Sequence, residues 1–166
     1  MIVKKVCMLG DPSVGKTSLV RRFVYNEYSD RYLSTLGTKV SEKRVSLDKE
    51  TVQMVIWDIA GQEDFTSITP AYFKGSGGGI LVVDLTRRDT LYNASRWARS
   101  FTEKAGEVPV VMLCNKNDLV DEAEFTPEDA EKASGDYCAA VLSTSAKTGD
   151  GVEKGFILLA RMMAGE

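Results

Sequence analysis

The sequence predicts an α/β fold in which a mostly parallel β-sheet is covered by helices on both faces. Short apolar runs alternate with helical patterns along the chain, and polar or acidic residues follow several of these runs. At 166 residues the chain has the length of one ordinary domain, and no linker, repeat or low-complexity tract divides it. We therefore expect a single domain over residues 1–166.

The predicted strands are the apolar runs. Five of them are Val3–Leu9, Thr51–Ile59, Ile80–Asp84, Val110–Asn115 and Ala139–Ser143. A further strand is predicted over Lys39–Leu47. Because only Asp48, Lys49 and Glu50 separate it from the next strand, these two strands should form an antiparallel hairpin.

Helical patterns follow most of the strands. Thr126 precedes Pro127 and two acidic residues, which is typical of a helix start. The glycine-rich segment Gly75–Gly79 is interpreted as a flexible lead into a strand, since no Lys-Ser/Thr pair follows that would make it a phosphate loop. The expected helix starts lie near Lys16, Thr66, Thr90, Thr126 and Gly151.

Composition narrows the class of protein. A net charge of −3 without a dense basic cluster argues against a nucleic-acid partner. The three cysteines lie in or beside apolar runs and read as reduced thiols, which indicates a cytoplasmic protein. No apolar run approaches the roughly 18 residues of a membrane span, and no lipidation signal is present. We expect no membrane anchor in this chain, with recruitment through partners or a removed tail left open.

The segment Gly10–Thr17 has the pattern of a phosphate-binding loop, because it follows an apolar strand and precedes a helical pattern. Its glycines allow backbone N–H groups to surround phosphates, and the helix N-terminus adds its dipole. Lys16 can place a positive charge on the terminal phosphates, and the Thr17 hydroxyl can bind Mg²⁺. The alternative is a glycine-rich turn before an amphipathic helix.

Two acidic residues at strand ends are candidates for the metal site. Asp58 is followed by Gly61 and Gln62, a context that favours it: the glycine N–H can approach a terminal phosphate, and the glutamine can orient an attacking water. Asp84 is interpreted instead as a structural residue that fixes the turn into Thr86.

A third motif predicts recognition of the base. Asn115, Lys116 and Asp118 close a very apolar strand. The carboxylate can accept both the ring N–H and the exocyclic amine of guanine, a donor pair that adenine lacks. The segment 145–147 follows the last strand and can offer backbone N–H groups to the guanine carbonyl oxygen.

These elements, in this order and spacing, resemble the Ras superfamily of small GTP-binding proteins. The resemblance implies a six-stranded, mostly parallel sheet with one antiparallel edge strand and five helices. It implies catalytic roles for Gln62, Lys16 and Thr35, and Mg²⁺ bound by Thr17, by Thr35 and, through a water, by Asp58. The nucleotide-binding residues that it implies are Gly10, Ser13, Val14, Gly15, Lys16, Thr17, Ser18, Tyr28, Tyr32, Thr35, Asp58, Gly61, Asn115, Lys116, Asp118, Ser145, Ala146 and Lys147. Surface aromatics on a loop remain the alternative for the two tyrosines.

Within this superfamily the chain looks most like the Rab branch, with departures. Val40 stands where Rab proteins usually carry an aromatic residue, and Ser143 stands where they carry a glutamate. Pro12 replaces a residue that many members keep as glycine or serine, and it can obstruct a catalytic side chain supplied by a partner.

The resemblance implies a GTP/GDP molecular switch with slow intrinsic, Mg²⁺-dependent hydrolysis. Its implied partners are an exchange factor, an activating protein and effectors that bind the switch loops. A GTP-binding scaffold with negligible turnover and a kinase or ATPase with the same phosphate loop are the alternatives.

Overall fold

The computed structural model describes residues 1–30, 37–59 and 70–166. Six strands form one sheet: β1 (Ile2–Leu9), β2 (Thr38–Ser46), β3 (Thr51–Ile59), β4 (Gly78–Asp84), β5 (Val110–Asn115) and β6 (Ala140–Ser143). The described residues contain four α-helices: α1 (Lys16–Tyr25), α2 (Arg88–Ala105), α3 (Pro127–Ser134) and α4 (Val152–Ala164). The helix predicted to begin near Thr66 lies outside the described residues.

The sheet is mostly parallel, as predicted. Its strand order is β2-β3-β1-β4-β5-β6. Strand β2 runs antiparallel to β3 and pairs Thr38 with Ile59 and Ser46 with Thr51, so the predicted hairpin is confirmed. The other neighbouring strands are parallel. This topology brings the carboxyl ends of five strands to one edge, where open α/β sheets bind ligands.

Each face of the sheet packs on its own hydrophobic cluster. One cluster joins the sheet to α1 and α4, and in it Phe23 stacks on Phe156 with ring centroids 4.3 Å apart. The other joins the sheet to α2 and α3, and in it Phe73 meets the edge of Phe101 at 5.4 Å. Helices therefore cover both faces, and this leaves the carboxyl edge available for a site.

The interpretation of Gly75–Gly79 as only a flexible lead is wrong for its last two residues. Gly78 and Gly79 belong to β4 and are fully inside the sheet. A Cβ at Gly78 would lie 2.8 Å from Leu159 Cδ1, and a Cβ at Gly79 would lie 3.0 Å from Phe101 Cε2. A side chain at either position would force Leu159 or Phe101 to shift, because α4 and α2 pack close to the backbone of the strand.

The helix start at Thr126 is confirmed in detail. The Thr126 hydroxyl accepts from the Asp129 N–H at 3.1 Å, and the Asp129 carboxylate accepts from the Thr126 N–H at 3.0 Å. Pro127 occupies the first helical turn. Together these contacts form a capping box, which satisfies two backbone donors that the helix itself leaves free.

Candidate functional site

The phosphate loop connects β1 to α1 at the carboxyl edge, and its glycines are required there. Gly10 has φ +134°, and an added Cβ would lie 2.4 Å from the Val82 carbonyl oxygen. Gly15 has φ +105°, and its Cβ would lie 2.3 Å from Asn115 Nδ2. The loop therefore tolerates no side chain at either position without a shift of its neighbours.

Lys16 lies inside the curve of this loop. Its Nζ donates to the carbonyl oxygens of Gly10 at 2.7 Å and Asp11 at 3.1 Å, and only 8% of the residue is exposed. Burial lowers the pKa of Lys16 to about 8, although the carboxylates of Asp58 and Asp11 act in the opposite direction. The ammonium group is thus held beside backbone carbonyls, where the negative charge of a bound phosphate would stabilise its protonated form.

Asp58 lies at the end of β3 and faces α1. The Thr17 hydroxyl donates to Asp58 Oδ2 at 2.5 Å. Asp58 is 1% exposed, and among the described residues its Oδ1 has no hydrogen-bond partner. Burial raises the pKa of Asp58, while the Thr17 hydroxyl and the Lys16 charge oppose that rise.

A carboxylate oxygen buried without a partner costs free energy unless something else satisfies it. The hydroxyl and the carboxylate are hard oxygen donors of the kind that Mg²⁺ prefers, and Mg²⁺ keeps several waters instead of a complete protein cage. The residues present therefore fit a magnesium site next to the phosphate loop.

Asp84, the second acidic candidate, has a structural environment. Its Oδ1 accepts from the Thr86 N–H at 2.8 Å and from the Thr86 hydroxyl at 2.6 Å, which confirms the predicted turn. Its Oδ2 pairs with Lys116 at 2.8 Å and Arg87 at 3.2 Å. Burial acts to raise the pKa of Asp84, but the bonds from Lys116 and Thr86 outweigh it and the pKa lies below its ordinary value.

A cavity of about 290 Å³ opens beside the phosphate loop. Eight residues that the sequence predicted to bind a nucleotide line it: Gly15, Ser18, Tyr28, Asn115, Lys116, Asp118, Ala146 and Lys147. Asp30 and Leu119 also line it, and sequence reasoning missed both. Asp30 lies two positions after Tyr28, and Leu119 lies one position after Asp118. Extension of each predicted segment by one or two residues would have found them.

Asn115 ties the phosphate loop to the loops at the far end of the sheet. Its Nδ2 donates to the Val14 carbonyl at 3.0 Å. Its Oδ1 accepts from the Thr144 hydroxyl at 3.2 Å and from the Ala146 N–H at 3.3 Å. Lys116, at φ +71°, adds a second tie through its Nζ, which donates to the Ser13 carbonyl at 3.1 Å. These contacts hold the two predicted motifs in one fixed relation.

Asp118 and the segment 145–147 are in contact with each other. The Ser145 hydroxyl donates to Asp118 Oδ1 at 2.7 Å. The Ser145 N–H is used by the Asp150 carbonyl at 2.9 Å, and the Ala146 N–H by Asn115. Ser145 is fully buried, and its hydroxyl orients the Asp118 carboxylate through this hydrogen bond.

Four predicted residues lie outside the part of the chain that the structure describes: Tyr32, Thr35, Gly61 and Gln62. Their roles stay predictions. Tyr28 is described: it is 39% exposed, it lines the cavity, and burial together with the carboxylates of Asp30 and Asp118 raises its pKa.

Sequence reasoning also missed the residues that hold the loops from behind. Arg22 of α1 donates to the carbonyls of Ala146 at 2.8 Å and Lys147 at 2.6 Å. Arg87, before α2, donates to the Pro12 carbonyl at 2.8 Å. The arginines and the carbonyls to which they donate are separated by 124, 125 and 75 positions in sequence, and no local sequence pattern predicts such contacts.

Comparison with known proteins agrees with this geometry. The model of the Ras family matches residues 5–165. The chain is 38% identical over 158 residues to the Ras-related protein Rab-8B of Homo sapiens and to that of Pongo abelii, which covers 95% of this chain and 76% of either relative. None of the helices in the described part of the chain has the length and hydropathy needed to cross a bilayer. The chain belongs to the Ras family and is a Rab-like small GTPase.

Proposed function

We propose that this GTPase is a GTP/GDP molecular switch whose intrinsic, Mg²⁺-dependent hydrolysis is slow and whose nucleotide occupies the cavity beside the phosphate loop. The observation that carries the proposal is that one cavity is bordered both by Gly15 of the phosphate loop and by Asp118 of the base-recognition motif. A single ligand with a base at one end and phosphates at the other fits that arrangement.

Guanine is the base that the cavity favours. Asp118 presents a carboxylate to the cavity, held in place by the Ser145 hydroxyl. Guanine offers two adjacent donors to such an acceptor, and adenine would leave it unsatisfied in a partly buried site. Tyr28 lies at the cavity wall, where its ring can pack on the nucleotide.

The phosphates would lie along Gly10–Thr17, with Lys16 as the cation beside them. Thr17 would hold Mg²⁺ directly and Asp58 through a water, together with Thr35 by the family resemblance. When bound, Mg²⁺ supplies charge neutralisation of the phosphates. Thr35 and Gly61 would contact the gamma phosphate, and its loss would release both segments, which is the switch.

Hydrolysis would depend on Gln62 to orient the attacking water. We propose that the intrinsic rate is slow because the sequence has no arginine at the position of an internal arginine finger. In alpha subunits of heterotrimeric G proteins an arginine stands three residues before the threonine that corresponds to Thr35. In this chain that position is Tyr32. An activating protein would supply the missing group, and Pro12 is the residue of the phosphate loop that such a group would meet.

The switch segments are also the natural contact surface for an exchange factor and for effectors. We place the protein in the cytoplasm, supported by three cysteines that are free and buried or partly buried. Recruitment to a membrane would then take place through partners or through a removed tail.

The nucleotide that copurifies with the protein tests this proposal. We expect that denaturation of the purified chain releases guanine nucleotide, mostly GDP, in a ratio near one per chain. Adenine nucleotide would contradict the proposal and favour a kinase or ATPase. Tightly held GTP that is not hydrolysed when Mg²⁺ is present would favour a scaffold with negligible turnover.

A further inference from the structure

The phosphate loop contains a negative charge that its proposed ligand does not explain. Asp11 directly follows Gly10, the first residue of the loop. A free carboxylate at this position would repel phosphates. In the structure this carboxylate is turned away: Oδ1 accepts from Trp97 Nε1 and Oδ2 from Asn93 Nδ2, each at 2.8 Å.

Both donors belong to α2 and are built for this contact. Asn93 and Trp97 are four residues apart and therefore lie on one face of the helix. Trp97 is 4% exposed and belongs to the hydrophobic cluster between α2 and the sheet, so its N–H is fixed in direction. One carboxylate thus satisfies an indole and an amide that the helix presents together.

The backbone of Asp11 faces the other way, toward the phosphate-binding lysine. Its carbonyl accepts from Lys16 Nζ at 3.1 Å, and the same Nζ lies 5.9 Å from the Trp97 ring centroid. Arg87 adds a third point of attachment through the Pro12 carbonyl. The first bend of the loop, and with it the lysine, is therefore held from the α2 side.

We propose that Asp11 is a positioning residue for the bound nucleotide, and that Asn93 and Trp97 act through it to hold the phosphate loop in the shape that retains GDP. Loss of the contact frees the bend, withdraws Lys16 from its place and turns a carboxylate toward the phosphates. This inference rests on the proposed use of the phosphate loop, which GDP binding by the unaltered chain tests on its own.

The experiment exchanges the carboxylate at position 11 and the amide at position 93. Asn93→Asp places two carboxylates in contact and should raise the dissociation rate of a fluorescent GDP analogue about tenfold. Asp11→Asn should have a small effect, because the amide of Asn93 can rotate and accept from the new amide. In the double variant Asp11→Asn, Asn93→Asp the hydrogen bond forms again with its polarity reversed. GDP dissociation should then return to within about threefold of the Asp11→Asn rate.

Two controls separate positioning from general loss of stability. Arg99→Gly weakens α2 at an exposed position away from the loop. Even where its melting temperature falls as far as that of Asn93→Asp, its GDP dissociation rate should stay unchanged. If Asn93→Asp does not fold, Asn93→Ala takes its place. It removes one donor without adding a charge and should increase the GDP dissociation rate by a smaller factor. Wild-type dissociation rates in Asn93→Asp, no rescue in the double variant, or an equal increase in Arg99→Gly would each overturn the inference. Failure of the unaltered chain to bind GDP would instead overturn the proposed function.

Discussion

Thr17 of α1 donates its hydroxyl to Asp58 at the end of β3, and the second oxygen of that carboxylate, Oδ1, is buried without a hydrogen-bond partner among the described residues. The two residues are 41 positions apart and belong to different motifs. Their contact therefore joins the phosphate loop to the end of β3.

The first prediction concerns the metal. Asp58→Ala should weaken Mg²⁺ binding to the GDP complex by about 10- to 100-fold, the usual cost of losing a group that holds a metal through water. Chelation of Mg²⁺ should accelerate GDP dissociation from the wild-type chain and have little effect on the variant. Stopped-flow measurement of fluorescent GDP release with and without chelator provides the comparison. Equal sensitivity to the chelator in both proteins would remove Asp58 from the metal site.

A second prediction compares two glycines that both have a positive φ, Gly15 at +105° and Gly106 at +86°. Gly15→Ala should abolish GDP binding, because a Cβ would lie 2.3 Å from Asn115 Nδ2 and push the base-recognition motif away from the phosphate loop. Gly106 also has positive φ, but no atom lies within 4 Å of its Cβ position. Gly106→Ala should therefore cost about 1–3 kcal/mol of stability through backbone strain alone and leave GDP binding intact. Calorimetric titration with GDP and urea unfolding measure the two quantities.

The third prediction concerns base selectivity. Asp118→Asn should weaken GTP at least about 100-fold and shift preference toward xanthine nucleotides, because the amide offers guanine a donor where it needs an acceptor. Asp121→Asn changes an exposed carboxylate on the same loop and is the matched control. Competition binding of GTP, xanthosine triphosphate and ATP provides the readout. Unchanged guanine selectivity in Asp118→Asn would refute the assignment.

Asp84 gives a prediction about pH. Its folded pKa lies below the ordinary value, so its ionised form contributes stability above about pH 4, and this contribution is lost as pH falls through the folded pKa. Asp84→Asn should reduce the free energy of unfolding by about 2–3 kcal/mol at pH 7, since it weakens bonds to Lys116 and Arg87. The difference between variant and wild type should shrink below pH 4. Urea unfolding across pH 3 to 7 tests this, and a difference that does not depend on pH would contradict it.

The elements that sequence alone predicted well are those with local signals. The ranges of β3 and β5 match the prediction residue for residue: β5 is a continuous apolar run that ends at Asn115, and β3 begins directly after the polar loop at 48–50. The short loop at 48–50 was enough to predict the hairpin of β2 and β3. Most residues that line the cavity belong to three motifs whose order along the chain places them at one sheet edge, whereas Asp30 and Leu119 were not predicted.

What sequence could not supply are the contacts between distant elements. Asp11 meets Asn93 and Trp97 across 82 and 86 positions, and no spacing rule connects them. One physical signal was available: an acidic residue inside a phosphate loop needs donors elsewhere to hold it away from the ligand. The close packing at Gly78 was missed for the same reason, since Leu159 lies on a helix at the other end of the chain.

Single-turnover hydrolysis of GTP tests the central claim most directly. Nucleotide-free protein is loaded with stoichiometric GTP, Mg²⁺ is added, and phosphate release is followed in the wild-type chain and in Gln62→Leu. We predict slow release from the wild type, on the order of 10⁻⁴ to 10⁻² s⁻¹, and strongly slower release from the variant with GTP still bound. GTP that remains intact on the wild-type protein, or equal rates in both, would contradict the account.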